Sequence, residues 1–311
     1  MTPIRVEKLT KIYKGKVRAL NEISFSIGKN EMVGLLGPNG SGKTTAIKIL
    51  TGLLRQTSGR AFIYELDVLE DQKAALENVG AVVEVPEFYP FLTPIETLRF
   101  LGQLRGMTES DIDLRSRDLL EMFGLAENAM EKVGRFSKGM KQRLALAQAL
   151  LHEPDVLILD EPTDGLDPEG IADMRRILLD LRKRGVTILM SSHHLMEVQN
   201  TCDRILMIDR GRIVADDSVE HIAQEVRVNC YDLVLAGEPS PDSLNRIKSI
   251  QGVADVKRKS SRMVVVDVDD SFRSGEWLLN EILSLGLRVE SFHSHDIPLE
   301  TYYVQRKQDG E

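Results

Sequence analysis

The sequence predicts an α/β fold, a parallel sheet with helices on its faces, followed by a smaller α+β piece. Three observations carry that prediction. Short apolar runs recur at 32–36, 156–159 and 186–190. They are too short for buried helices and too uniformly apolar for strands with a wet face, as expected of strands covered on both sides. Segments with helical periodicity separate them. Beyond residue 226 the order changes to β-α-β-β-α-β, the pattern of a ferredoxin-like sandwich. A chain of 311 residues has room for two such domains, and we place them at 1–225 and 226–311.

In chain order, residues 4–8, 17–27 and 31–36 read as strands. The last delivers Gly37-Pro38-Asn39-Gly40-Ser41-Gly42-Lys43-Thr44-Thr45, a match to G-x-x-x-x-G-K-[ST] between an apolar strand and the start of a helix. The glycines let successive N–H groups turn inward toward phosphate oxygens, and the helix N-terminus adds positive potential. Lys43 can reach β- and γ-phosphates, and the Thr44 hydroxyl can ligate Mg²⁺. Tyr13, upstream, can stack on a nucleotide base or be a packed surface tyrosine.

After the helix 43–52 come a short strand near 60–64, a helical stretch at 71–78 and an apolar strand at 79–83, stopped by Glu84 and Pro86. Three amphipathic segments, 94–106, 109–123 and 139–151, form a helical insertion spanning about 90–151. The strand 156–159 presents Asp160-Glu161 at its C-terminal end, where open α/β sheets bind ligands. An aspartate there can hold Mg²⁺; the adjacent Glu161 can polarise water for attack on a γ-phosphate. Asp167 caps the next helix with Pro168 at its first position, and Gly185 ends it. The strand 186–190 runs into Ser191-Ser192-His193, so His193 either faces the ligand edge or caps the following helix. Strands at 204–208 and 212–215 complete the sheet edge.

In the C-terminal piece we expect a linking helix at 218–226, strands at 228–235, 253–259, 262–268 and 287–293, helices at 241–250 and 275–285, and a docking helix at 298–304. His293 and His295, two apart on a strand, share a face and could bind a metal; no further ligand cluster stands near them. Trp277 is read as core.

Composition narrows the partners. Hydrophobic content is 42%, charged content 28% and the formal net charge −8, which disfavours nucleic acid as a partner. No apolar run approaches the 18 residues a membrane span needs, and the start has no signal-peptide pattern. Two cysteines, Cys202 and Cys230, fall in different predicted domains; a reducing cytoplasm fits them better than a disulfide framework.

Across residues 3–225 the order of motifs resembles the ATP-binding subunit of an ABC transporter, a P-loop NTPase core of ABC ATPase type with an antiparallel β portion and a helical subdomain. Residues 37–45 match Walker A, 156–161 Walker B with its catalytic glutamate, and Phe136-Ser137-Lys138-Gly139-Met140 the signature loop. Residues 164–167 resemble the D-loop, His193 the switch histidine and Tyr13 the base-stacking aromatic. The resemblance implies ATP and Mg²⁺ as cofactors. It makes Glu161 and His193 catalytic, assigns nucleotide contacts to Tyr13, residues 37–45, Ser137 and Gly139, and gives Thr44, Asp160 and Glu84 to the metal. It also implies two ATP molecules between two head-to-tail copies, or one copy and a paralogue, coupled to a polytopic permease at the cytoplasmic face of the membrane. Two stretches depart from the family, at Glu84 and in the signature loop. Glu84 stands where a glutamine is usual, and with Pro86-Glu87-Phe88-Tyr89-Pro90 it resembles the subgroup exporting bacitracin-type and lantibiotic peptides. Lys138 and Met140 replace a glycine and the glutamine of Leu-Ser-Gly-Gly-Gln; Lys138 would attract an anion or stay solvated.

A DNA-end ATPase would split the motifs with a long coiled coil, absent here. Ribosome-acting relatives commonly carry two cassettes. A non-catalytic regulator would not need Lys43, Asp160, Glu161 and His193 together, and no N-K-x-D motif supports a GTPase.

Overall fold

The computed structural model describes residues 2–225, 230–269, 272 and 274–294; the expected helix at 298–304 and His295 lie outside them. The chain forms two compact units, one through Val219 and one from Glu220.

In the first unit β1 (Ile4–Ile12) and β2 (Arg18–Ile27) pair antiparallel and lead into β3 (Met32–Leu36). Helix α1 (Lys43–Leu50) follows, then β4 (Ser58–Ile63), β5 (Leu66–Asp67), α2 (Gln72–Ala75) and β6 (Val79–Val82). The insertion consists of α3 (Pro94–Leu104), α4 (Glu109–Met122) and α5 (Lys138–Leu150). Then come β7 (Val156–Leu159), α6 (Pro168–Lys183), β8 (Thr187–Ser192), α7 (Leu195–Thr201), β9 (Arg204–Asp209) and β10 (Arg212–Ser218); α8 (Val219–Glu225) follows and from Glu220 on belongs to the second unit.

Two sheets result. The order β2-β1-β4-β5 is antiparallel. The order β10-β9-β3-β8-β7-β6 is parallel except for the hairpin of β9 with edge strand β10. Helix α1 contributes Ala46, Ile47, Ile49 and Leu50 to one core that includes side chains of both sheets. On the opposite face of β3, α7 packs against Gly34, where a Cβ would stand 2.2 Å from Val198 Cγ1; a larger residue there would push the helix off the sheet. The helical insertion buries Leu98, Ile112, Leu119, Leu120, Phe123 and Leu144. Its starts are fixed by side chains: Thr93 and Glu96 form a capping box on α3, and Thr108 caps α4.

Of the boundaries that differ from the sequence reading, three have clear local reasons. Helix α2 spans four residues instead of eight, because the Asn78 carbonyl accepts from Asp155 N and Val156 N and the chain must turn to reach β6. Strand β8 continues past Met190, since its ladder with β3 runs on through Leu35↔Ser191 and Leu36↔Ser192. Helix α5 begins at Lys138, with Ser137 as its cap.

The second unit holds β11 (Cys230–Leu235), α9 (Pro241–Lys248), β12 (Val253–Arg258), β13 (Met263–Val268), α10 (Gly275–Ser284) and β14 (Val289–Ser294). Its sheet order is β12-β13-β11-β14, all antiparallel, the split β-α-β arrangement. Leu233, Ile247, Val264, Val266, Leu278 and Ile282 are fully buried there, and Trp277 packs against them.

Candidate functional site

Residues 37–42 turn the chain from the end of β3 into α1. Gly40 (φ 80°) and Gly42 (φ 114°) take the left-handed conformation, and at Gly42 a Cβ would lie 2.5 Å from the Ala19 carbonyl. Only glycine fits that position without moving backbone. Ser41 Oγ is buried and has no hydrogen-bond partner among the described residues, a polar atom that a bound group would satisfy. Thr44 and Thr45 lie half-buried in the first turn of α1. Tyr13 is exposed, with its hydroxyl 3.4 Å from Thr45 Oγ1 and Lys11 Nζ 5.3 Å from its ring.

Lys43 is only 5% exposed, so its ammonium needs compensation. Its Nζ donates to the carbonyls of Gly37 (2.7 Å) and Pro38 (3.3 Å) and sits 3.3 Å from Glu161 Oε1. Glu161 thus occupies the flank of the cation that anionic phosphate oxygens would take. Its backbone is in the left-handed region (φ 47°), a conformation costing a non-glycine residue on the order of 1 kcal/mol and concentrated at functional sites. The other carboxylate oxygen meets His193: Nδ1 lies 2.8 Å from Oε2, and the His193 N–H donates to the same oxygen at 3.3 Å. With the carboxylate ionised, Nδ1 carries the proton of that bond. His193 therefore faces the ligand edge. The cap of α7 is His194, which makes no side-chain capping bond, so the reading of His193 as a cap is corrected.

Asp160 is 5% exposed, and its Oδ1 accepts from Ser191 Oγ at 2.6 Å. The same hydroxyl accepts from Glu161 N at 2.9 Å. Ser191 thus fixes both acids at once. The β7–β8 pairing makes this possible, since Leu159 lies opposite Met190 and the next residues face each other. No functional role was assigned to Ser191 from sequence; a hydroxyl one strand over from the acid pair, two residues before His193, was the available signal. Among the described residues no three His, Cys, Asp or Glu side chains form a metal-binding group. The hydroxyl of Thr44 and the carboxylate of Asp160 are nonetheless hard oxygen donors of the kind Mg²⁺ takes, with water and phosphate oxygens supplying the rest. Glu84, expected as a third donor, is exposed, has φ 59° and is bonded to Lys48 Nζ at 2.5 Å.

Ser137 and Gly139 belong to the other half of the expected site. Ser137 caps α5 through Met140 N at 3.2 Å. A Cβ on Gly139 would stand 3.4 Å from Leu166 Cδ2, and Gln142 Nε2 donates to Pro162 O at 3.1 Å. Lys138 stays about half exposed to solvent, and its Nζ also lies 2.9 Å from Asp164 Oδ2. Asp167 caps α6 as expected, accepting from Gly170 N at 2.9 Å. In the second unit His293 Nε2 stands 3.7 Å from Asp232 Oδ2.

Comparison with known proteins gives the family to which the chain is similar. The ABC transporter family profile matches residues 20–164. The bacitracin transport ATP-binding protein BcrA of Bacillus licheniformis is 40% identical over 73% of this chain and 73% of its own. A fluoroquinolones export ATP-binding protein of Mycobacterium tuberculosis (strain CDC 1551 / Oshkosh) is 40% identical over 69% of this chain and 70% of its own. Among solved structures, the dimeric bacterial ABC transporter cassette MJ0796 superposes with a TM-score of 0.65 at 26% identity, covering 70% of this chain and 98% of that one.

Proposed function

The chain belongs to the ATP-binding subunits of ABC transporters and is an ATPase, and from that premise we propose that it is the energy-coupling subunit of an exporter for a drug, peptide or lipid-like molecule. The similar proteins named for bacitracin transport and fluoroquinolone export support the direction and the substrate class. Among the described residues no helix is long and apolar enough to cross a membrane. In this reading a polytopic permease supplies the path and holds the subunit at the cytoplasmic face of the membrane.

One observation carries the mechanism: the connected set Lys43–Glu161–His193 at the mouth of the 37–42 loop. ATP enters with its phosphates against the backbone N–H groups of that loop and its base toward Tyr13. The phosphates take over Lys43 and release the Glu161 carboxylate, which is then available to accept a proton from the attacking water. His193 orients Glu161 and meets the terminal phosphate. Thr44 and Asp160 would hold Mg²⁺, with Glu84 beside them; when bound, the ion neutralises phosphate charge. Ser137 and Gly139 complete the site of a second copy or a paralogue, so that two ATP molecules join the pair and hydrolysis removes the bridge. The dimeric form of the similar cassette MJ0796 supports such an arrangement. The segment 226–311 is proposed as an accessory domain outside the hydrolytic machinery.

The test is co-expression with a polytopic membrane protein, should one be encoded beside this chain, co-purification from detergent, and ATPase assay of the complex. The reading expects a stable complex that releases phosphate. Failure of the two proteins to associate, with the ATPase intact, would remove the transport assignment.

A further inference from the structure

Lys138 lies in one of the two stretches where the sequence leaves its family, and its surroundings give it a task. It is the first residue of α5, directly after the cap Ser137. A cation there opposes the helix dipole, and the first turn of α5 contains no acid to offset it. The compensation comes from elsewhere: Asp164, 26 residues on, at 2.9 Å. The lysine stem lies across Gly165 (φ 75°), where a Cβ would stand 2.4 Å from Nζ and 2.7 Å from Cδ and Cε.

The segment after Glu161 is therefore tied to the start of α5 at two points, Gln142 to Pro162 O and Lys138 to Asp164, with Leu166 Cδ2 3.4 Å from where a Cβ on Gly139 would stand. It is tied equally to the hydrolytic pair, since Asp164 N donates to Glu161 O at 3.1 Å. The Asp164 carboxyl is held below its usual range, first by the Lys138 hydrogen bond and further by the charges of Lys138, His193 and His194. One ion pair thus links the residues that would face a second copy's nucleotide to this chain's own catalytic glutamate. Both partners are about half exposed, 52% and 56%, and an exposed pair of this kind contributes little net stability. A more highly charged anion can displace Asp164 easily.

We propose that Lys138 reads the charge of the nucleotide presented by the second copy, with Asp164 as its internal competitor. Lys138 leaves Asp164 for the terminal phosphate when a triphosphate arrives and returns when only a diphosphate remains. Each exchange frees or retethers the segment that follows Glu161. This rests on the two-copy reading above.

The two side chains make one bond, so a simple staple predicts that removing either has the same effect. A charge reader predicts opposite effects. The experiment measures the concentration of a non-hydrolysable ATP analogue, with Mg²⁺, at which the full chain half-associates. Lys138→Gln should raise it about tenfold, the loss of one charge-assisted hydrogen bond. Asp164→Asn should lower it about threefold. The double variant should behave as Lys138→Gln, and Lys138→Arg should stay near the parent chain. With ADP all variants should coincide, and analogue binding by dilute, separated chains should not change. Shifts of the same sign for the two single variants, or no shift in either, would overturn the assignment while leaving the two-copy reading intact. If the unsubstituted chain does not associate at any analogue concentration, both fall together. Far-ultraviolet circular dichroism melts identify a variant that has failed to fold, in which case Lys138→Met against Asp164→Ser gives the same comparison of signs.

Discussion

Glu161→Gln separates binding from chemistry more cleanly than any other change here. The amide keeps the size and shape of the carboxylate and can still accept from His193 Nδ1, 2.8 Å away. It cannot take a proton from water. Loss of a positioned general base costs about 10²–10⁴ in rate, equivalent to about 3–5 kcal/mol of barrier. The substitution also removes the negative charge 3.3 Å from Lys43 Nζ. The gross attraction at that distance is about 1–5 kcal/mol for an effective dielectric between about 80 and 20. Most of it is offset by desolvation, since Lys43 is buried and Glu161 is 23% exposed. A net gain of about 1 kcal/mol in freeing Lys43 would tighten ATP binding by about fivefold. The assay pairs steady-state phosphate release by the permease complex with equilibrium binding of ATP. Turnover should fall at least about a hundredfold while ATP affinity holds or rises. Turnover within a few fold of the parent would remove Glu161 as the base. Loss of binding together with turnover would show that the carboxylate holds the loop rather than performing chemistry.

Lys43→Ala should weaken ATP binding by about 10–100-fold, as expected for loss of a charge-assisted hydrogen bond in a buried setting; titration with a fluorescent ATP analogue measures it. Ser191→Ala removes the hydroxyl shared by Asp160 and Glu161 N. It should lower kcat and raise the Mg²⁺ concentration needed for half-maximal activity, with thermal stability reduced by about 1–3 kcal/mol. His152 is half-buried with Nε2 3.1 Å from Val79 O, and burial first, then the Arg105 charge, lowers its pKa from 6.5 to about 4. Because the folded pKa lies below the unfolded one, the unfolded chain binds this proton more readily. Stability should fall as pH drops from about 6.5 to about 4 and level off below. After screening at a partly exposed ring the loss is about 1–2 kcal/mol. Chemical denaturation at several pH values should show a shallower acid slope in His152→Phe than in the parent.

The legible parts of this molecule were those where chemistry is local. The 37–45 loop was readable because glycine spacing, the lysine and the flanking apolar runs sit in one contiguous stretch. Asp160 and Glu161 were readable because a short apolar strand must end at the ligand edge. What was hidden depends on neighbours distant in sequence. Ser191 and Ser192 extend β8 although they are polar, because β3 supplies their ladder partners. The Ser191 hydroxyl acquires its role only where β7 and β8 lie side by side. Lys138 could be seen as a departure from its family, but its partner Asp164 follows from the return of the chain across α5. Glu84 was recognised as unusual; its pairing with Lys48 required the sheet edge to meet α1.

Native mass spectrometry of the full-length Glu161→Gln chain with ATP and Mg²⁺ tests the shared-site claim most directly. The account predicts a species of two chains carrying two ATP molecules, which reverts to single chains when ADP replaces ATP. Single chains each holding one ATP, or a pair of chains whose formation is indifferent to the nucleotide supplied, would contradict it.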